Sequence, residues 1–321
     1  MSKKEIVVTG GFGFIGSRFV CSVLKHTDYT VKIIDKMTYA ADKGRVFDNI
    51  DDNDRWRIQH LNLDICDVTP INLRNAEYIV NFAAESHVDN SIDDGEPFIK
   101  SNVMGVYNLL ECAKKIDGLK KFIQISTDEV YGDMADLRGR QSSDESFKLR
   151  PSSYYSASKA SADLLVESAA RTFGIPYIIT RSCNNFGPDQ DPEKLIPKIF
   201  DFIQRGKDVP IYGDGLQSRE WIHVDDNVNI ILELLLSSAT NEIYNIGSGY
   251  NYKNIGLVQY IGEFLDTPVS YNFVEDRLGH DRAYRLNTKK VNAFLGERTY
   301  QPLEGFLKDE ARRIKSNTYG R

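Results

Sequence analysis

Fourteen residues near the start of the chain, VVTGGFGFIGSRFV, limit what it can fold into more than any other stretch. They set Gly10, Gly13 and Gly16 in a GxxGxxG spacing between a β-branched run and a helix-like segment. Glycine alone lets a backbone turn this tightly and approach a diphosphate, and the helix N-terminus behind it then faces the negative charge. Phe14 and Ile15, inside the motif, are counted with the glycines as cofactor contacts. Asp35 closes the second strand-like run, 19 residues after Gly16. A carboxylate there accepts from ribose hydroxyls and repels a 2′-phosphate, which favours NAD over NADP. Lys36, which works slightly against that preference, and Thr38 follow it. Asp64 and Ile65, after a third strand, suit an adenine pocket, and Ala84 ends a later run. NAD is the expected cofactor.

Short apolar runs recur at 5–9, 30–35, 78–84, 121–127 and 176–182, with helix-like segments such as 14–26, 100–117 and 157–173 between several of them. Alternation of continuous apolar strands with helices predicts an α/β, Rossmann-type doubly wound parallel sheet, with ligands beyond the carboxyl ends of its strands. After about residue 186 prolines and glycines multiply and the runs shorten. The expected division is a cofactor-binding domain over 1–185 and a smaller mixed α/β substrate lobe over 186–321, with segments around 220–245 free to return to the first. A formal charge of −6 excludes the basic footprint of a nucleic-acid binder. The four cysteines are scattered, the five histidines show no ligand spacing and no metal site is expected. No leader-like or membrane-spanning apolar stretch is evident, so the chain reads as soluble and cytoplasmic.

Two further stretches carry chemistry. In YYSASKASADLL, Tyr155 and Lys159 stand four apart at the start of a helix, which puts both on one face. A lysine ammonium beside a phenol, with the positive nicotinamide, is expected to lower the phenol from its usual value of about 10. In QISTDEVYG, Thr127, Asp128 and Glu129 follow a buried-looking run. Two adjacent carboxylates push one another's proton affinities apart, which suits an acid and a base.

Together these motifs resemble the extended short-chain dehydrogenase/reductase superfamily. Longer segments resemble its nucleotide-sugar 4,6-dehydratases of the dTDP-glucose type: DKMTYA, NFAAESHVDNSI, ISTDEVYGD, PSSYYSASKASAD, NNFGPDQDPEKLIPK, IYGDGLQSREWIHVDD, YNIGSG and RLGHDRAYRL. The resemblance implies that Tyr155 takes the proton of a sugar C4 hydroxyl as C4 is oxidised by NAD. Glu129 then removes the C5 proton, Asp128 protonates the leaving C6 hydroxyl, and hydride returns to C6 to give a 4-keto-6-deoxy sugar. Thr127 is expected near the C4 oxygen. Ser86 and His87 are implied near the nicotinamide, His87 more in a structural part. Asn184, Lys194, Leu195, Arg219, Asn245, Arg277 and His280 are implied substrate contacts, with Asn245 at the base and the arginines at the diphosphate or ribose. Thymine and uracil differ by one methyl, worth about 1–3 kcal/mol in a pocket, so dTDP-glucose and UDP-glucose both stay open. Epimerases of the superfamily need no such elimination pair, and a non-catalytic NAD-binding protein would not need Tyr155, Lys159 or the carboxylates. The resemblance further implies a homodimer through a four-helix interface, built from helices 100–117 and 157–173 with Val106, Leu109, Leu110, Ala160, Ala162, Leu164 and Leu165.

Overall fold

A computed structural model describes residues 4–135 and 142–319. Its strands, in chain order, are β1 (Glu5–Thr9), β2 (Thr30–Asp35), β3 (Ile58–Asn62), β4 (Ala76–Asn81), β5 (Lys121–Thr127) and β6 (Tyr177–Ser182). There follow β7 (Asn184–Phe186), β8 (Val209–Tyr212), β9 (Ser218–His223), β10 (Glu242–Ile246), β11 (Asn251–Lys253) and β12 (Tyr271–Val274). Seven of them form one parallel sheet in the order β10-β6-β5-β4-β1-β2-β3.

The apolar runs are continuous because both faces of this sheet are covered. Ile6, Val8, Ile33, Val80, Ile123 and Ile178 face one side, where helices Phe14–His26 and Val224–Leu236 pack. Val7, Ile34, Ile79, Phe122 and Ile179 face the other, under helices Val106–Ala113 and Tyr154–Phe173. Alternation by residue therefore separates two cores rather than core from water. Each fully buried Ile or Val contributes roughly 1.5–3 kcal/mol against exposure. The order reverses between β1 and β4, and the carboxyl ends of those two strands open the crevice where a ligand fits.

Beyond β6 the chain builds a second lobe around Ile196, Ile199, Phe200, Leu257, Ile261, Leu303 and Leu307. Here β7, β9 and β11 form a small sheet and β8 pairs with β12. β10 leaves this lobe and extends the large sheet beside β6. Among the described residues, no helix is long and apolar enough to cross a membrane.

Two element boundaries depart from expectation. The run at 78–84 is strand only to Asn81; Phe82 N still donates to Thr9 O at 3.0 Å, and the chain then turns over the glycine loop. A Cβ on Gly10 (φ +65°) would stand 2.7 Å from Ala83 N, so the two turns approach as closely as glycine permits. The helix expected over 100–117 is a π-helical stretch, Ile99–Gly105, followed by an α-helix that ends at Ala113.

Candidate active site

Gly10, Gly13, Asp35, Thr38, Asp64 and Ala84 line one cavity, together with Lys36 and Ile65. Gly16 makes the turn possible from behind: a Cβ there would lie 2.2 Å from Gly10 O. Phe14 and Ile15 open the helix whose N-terminus points at the loop, and their side chains pack on the core. Both Asp35 oxygens are oriented by backbone, Oδ2 accepting from Phe12 N at 3.0 Å and Oδ1 from Met37 N at 2.9 Å. Lys36 Nζ reaches to Glu85 Oε1 at 2.9 Å and Ser101 Oγ at 3.2 Å, so its charge is engaged within the cleft. Gly105 seats Ile65, since a Cβ there would meet Ile65 Cδ1 at 2.4 Å. A backbone cradle that any Cβ would fill, a carboxylate held for hydroxyls and an apolar end fit an NAD-sized dinucleotide.

β5 is buried along its whole length, and a 3₁₀ turn, Asp128–Tyr131, begins where it ends. Thr127 Oγ1 caps that turn by accepting from Glu129 N at 3.3 Å and lies 3.2 Å from Asp128 Oδ1. The capped turn is what delivers both carboxylates at the sheet edge. Asp128 is only 2% exposed, and its Oδ2 has no partner among the described residues. Burial, then the charges of Glu129 and Glu220, push its carboxyl well above the ordinary range. Glu129 is also pushed up by burial, but Arg219 and Arg277 pull it back.

Tyr155 and Lys159 lie on helix Tyr154–Phe173, which starts in a capping box: Ser156 N donates to Ser153 Oγ at 3.1 Å and Ser153 N to Ser156 Oγ at 3.0 Å. Lys159 Nζ donates to Ile125 O at 2.6 Å, and burial brings its ammonium down to about 8. The lowering of Tyr155 expected from Lys159 is not what the surrounding groups do. Burial and the charges of Glu129 and Asp128 raise the phenol, and a hydrogen bond from Thr127 opposes them. Tyr155 therefore shares its surroundings with both carboxylates, whose charges oppose its ionisation. Asn102 braces this wall by donating to Glu85 O at 3.0 Å and Ser158 Oγ at 2.9 Å.

Opposite, Arg219 is buried on β9, donates to Asp281 O at 2.9 Å and stacks 4.5 Å over the Tyr284 ring. Arg277 lies 3.1 Å from Asp89 of the first lobe, and its buried Nε has no partner among the described residues. His280 Nδ1 stands 2.6 Å from Asp276 Oδ1. Lys194 Nζ reaches Ser86 Oγ at 3.4 Å, and Leu195 begins helix Leu195–Gln204. His87 is half-buried, with a sheltered Nδ1 that lacks a partner among the described residues, and Asn184 is half-buried on β7. Arg219, Arg277 and Lys194 all act on Glu129, so these cations of the second lobe converge on the carboxylates of the first.

Asn245 is a correction. It is fully buried on β10, accepts from Tyr131 OH at 2.7 Å and donates to Ser143 O at 2.9 Å and Asn287 O at 3.2 Å. Its amide is spent inside the core, so the base contact expected of it is withdrawn. Sequence reasoning did not single out two nearby amides, Gln217, which is as buried as Asn245, and Asn254, which is half-buried. Each has a buried carbonyl oxygen without a partner among the described residues, and Asn254 N donates to Gln217 O at 3.0 Å. Gln217 Nε2 also donates to Asp276 at 3.1 Å, which sets the pair beside the Asp276–His280 contact. Nothing in the spacing of YNIGSGYNYKN separates Asn245 from Asn254; only the end of β10 at Ile246 does.

The chain matches the model of the "NAD dependent epimerase/dehydratase family" over residues 6–247. It is 43% identical to the low-salt glycan biosynthesis protein Agl12 of Haloferax volcanii, covering 90% of this chain and 92% of that one. It is 38% identical to dTDP-glucose 4,6-dehydratase 1 of Escherichia coli, over 98% of this chain and 93% of that one. The dTDP-glucose 4,6-dehydratase DesIV of Streptomyces venezuelae, solved with NAD bound, superposes with a TM-score of 0.91 at 38% identity, covering 98% and 97% of the two chains. A UDP-glucuronic acid 4-epimerase from Bacillus cereus gives a TM-score of 0.88 at 26% identity, covering 97% and 99%. The fold is thus common to both chemistries, while identity rises on one side only, and the chain belongs to the NAD dependent epimerase/dehydratase family, as a hydro-lyase of its dehydratase side.

Proposed function

We propose that the protein is a nucleoside-diphosphate-glucose 4,6-dehydratase that converts dTDP-glucose or UDP-glucose to the 4-keto-6-deoxy sugar. The observation that carries this reading is the capped turn at the end of β5. It offers a buried carboxyl that keeps its proton beside a second carboxylate held among cations. Oxidation and re-reduction alone, as in a 4-epimerase, have no use for such a pair.

Bound NAD supplies hydride removal at C4 and hydride return at C6. Tyr155 receives the C4-hydroxyl proton, with Thr127 hydrogen-bonded to the same oxygen and Lys159 behind. Glu129 takes the C5 proton, made acidic by the new ketone. Asp128 gives its proton to the C6 hydroxyl, water leaves across C5–C6, and Glu129 gives its proton back to C5 as hydride reaches C6. Each positioned acid or base contributes typically 10²–10⁴-fold. Arg219, Arg277 and Lys194 are suited to the diphosphate, and the half-buried Asn254 to the nucleoside. The apolar residues left exposed on two adjacent helices of the first lobe support a homodimer.

The test is incubation of the purified chain, without added reductant, separately with dTDP-glucose and UDP-glucose. A product lighter by one water, detected by mass spectrometry, is expected, and the ratio of kcat/KM names the nucleotide. Epimerised sugar without water loss would overturn the reading.

A further inference from the structure

Between β7 and helix Leu195–Gln204 the chain makes contacts next to both rims of the NAD cleft. One rim is the loop after β2, of which Thr38, Ala40 and Ala41 line the cavity; the other is the turn after β4, with Ala84 and Glu85. Arg45, on the short helix behind the first rim, donates to Ala40 O at 2.7 Å and to Asp191 Oδ1 at 2.7 Å. The Arg45 and Asp191 side chains are only 11% and 13% exposed. Tyr39 OH donates to Glu193 Oε1 at 3.3 Å on the same rim, and Lys194 Nζ to Ser86 Oγ at 3.4 Å beyond the second rim. The segment is thus fastened beside both rims.

Among the described residues, its far side forms no ion pair. Gly187, Pro188, Asp189 and Gln190 border a cavity of about 1140 Å³ that extends to helix Leu303–Tyr319. The segment also turns through Asp189 at a φ of 65°, a conformation that aspartate tolerates better than most residues. A segment with open space behind it is kept down by its fasteners. Of these the Arg45–Asp191 pair is the shortest and the least exposed, where an ion pair is screened least.

We propose that residues 187–194 are a strap that retains the cofactor, and that the Arg45–Asp191 pair is its buckle. Neither residue touches the reacting atoms; both are positioning residues. The strap suits a reaction that returns its hydride, because a cofactor regenerated in every turnover has no need to exchange. The inference rests on the assignment of this cleft to NAD and not on which sugar is dehydrated.

The test measures NAD per chain after gel filtration, and the rate at which bound NAD exchanges with an excess of isotopically labelled NAD. Both are read on the full-length protein without sugar. The wild-type chain is expected to keep its NAD. Arg45→Ala and Asp191→Ala are expected to exchange it at least tenfold faster, equivalent to about 1.4 kcal/mol. The swap Arg45→Asp with Asp191→Arg should recover part of that loss at unchanged Tm, which a merely unstable fold would not do. Tyr39→Phe, at an exposed and longer contact, should change the rate less than Asp191→Ala. If an alanine variant does not fold, Asp191→Asn keeps the shape and removes the charge. Folded Arg45→Ala and Asp191→Asn chains that exchange NAD at the wild-type rate would overturn the strap. A wild-type chain that binds no NAD would instead overturn the cofactor assignment.

Discussion

Asp128, the proposed acid, bears on stability as well as on the proposed chemistry. Its folded-state proton affinity is raised by burial and by Glu129 and Glu220. A group raised in this way stabilises the fold at pH below its unfolded value, and that contribution is lost as pH rises through the folded value. Above the unfolded value, holding that proton, or burying the anion once it is lost, costs folding free energy, so Asp128 destabilises the folded chain at neutral and alkaline pH. Asp128→Asn is expected to raise Tm there and to lose that advantage below the ordinary carboxylate range, as thermal unfolding across pH would report. The same variant should lower kcat by about 10²–10⁴-fold while still reducing the nicotinamide, because oxidation at C4 does not use Asp128. The wild-type rate should fall at acid pH as Glu129 is protonated and at alkaline pH as Asp128 ionises. An Asp128→Asn chain with unchanged water loss would assign the acid elsewhere. The Asp-Glu pair is plain in the sequence. Glu220 is not: it reaches the site only because Gly249 N and Leu286 N, donating at 2.7 and 3.1 Å, hold its carboxylate in the interior.

At the scale of elements, the strand and helix carrying the chemistry were legible because their signals are local. The glycine loop, the run before Thr127 and the spacing from Tyr155 to Lys159 need only neighbouring residues to be read. What depends on distant packing was not. The π-helical stretch forms where Gly105 lets Ile65 press against it, and β4 stops early because its continuation crosses Gly10. Lys121 is another such case. It is 2% exposed on β5, and its Nζ donates to Leu234 O, Leu235 O and Ser237 O at 2.8–3.0 Å, closing the end of helix Val224–Leu236. Burial lowers its ammonium to about 8, so desolvation opposes what the carbonyls gain. Three charge-assisted bonds at the negative end of a helix are expected to win. Lys121→Met should then destabilise the chain by about 1–3 kcal/mol, since it leaves buried carbonyls unpaired. Thermal unfolding checks the sign: an equal or higher Tm would mean that desolvation dominates.

For the whole molecule, the sequence pattern leaves segments around 220–245 free to return to the first lobe, but it does not name the contacts by which they would do so. β10 returns to the large sheet, and the bidentate Arg18–Asp225 pair joins residues 207 positions apart at 2.8 Å. Most of the residues expected to face a second copy are turned inward in the single chain. Val106, Leu109, Leu110, Ala160 and Ala162 are at most 6% exposed because they face the sheet, and Leu165 packs on the same core. Of the residues named, only Leu164 lies open, at 57%. Other large apolar or aromatic side chains that reach solvent on these helices include Ile99, Met104, Tyr107, Tyr154 and Phe173, each 46–62% exposed. Composition marks a helix as apolar on more than one face; the sheet decides which residues are left over. Helices Val106–Ala113 and Tyr154–Phe173 lie side by side, and the homodimer proposed above would bury the exposed Tyr107 and Leu164 if a second copy covers them with the same two helices. Such an interface is self-complementary, so one substitution is introduced twice, and a charge set against its own copy repels it. Leu164→Glu combined with Tyr107→Glu is therefore expected to give a monomer by light scattering where the parent chain is a dimer. Circular dichroism and bound NAD should be unchanged, because neither side chain supports the core or the cofactor cleft. A double variant that keeps the dimer mass would move the interface to another face, and a parent chain that is already monomeric would remove it.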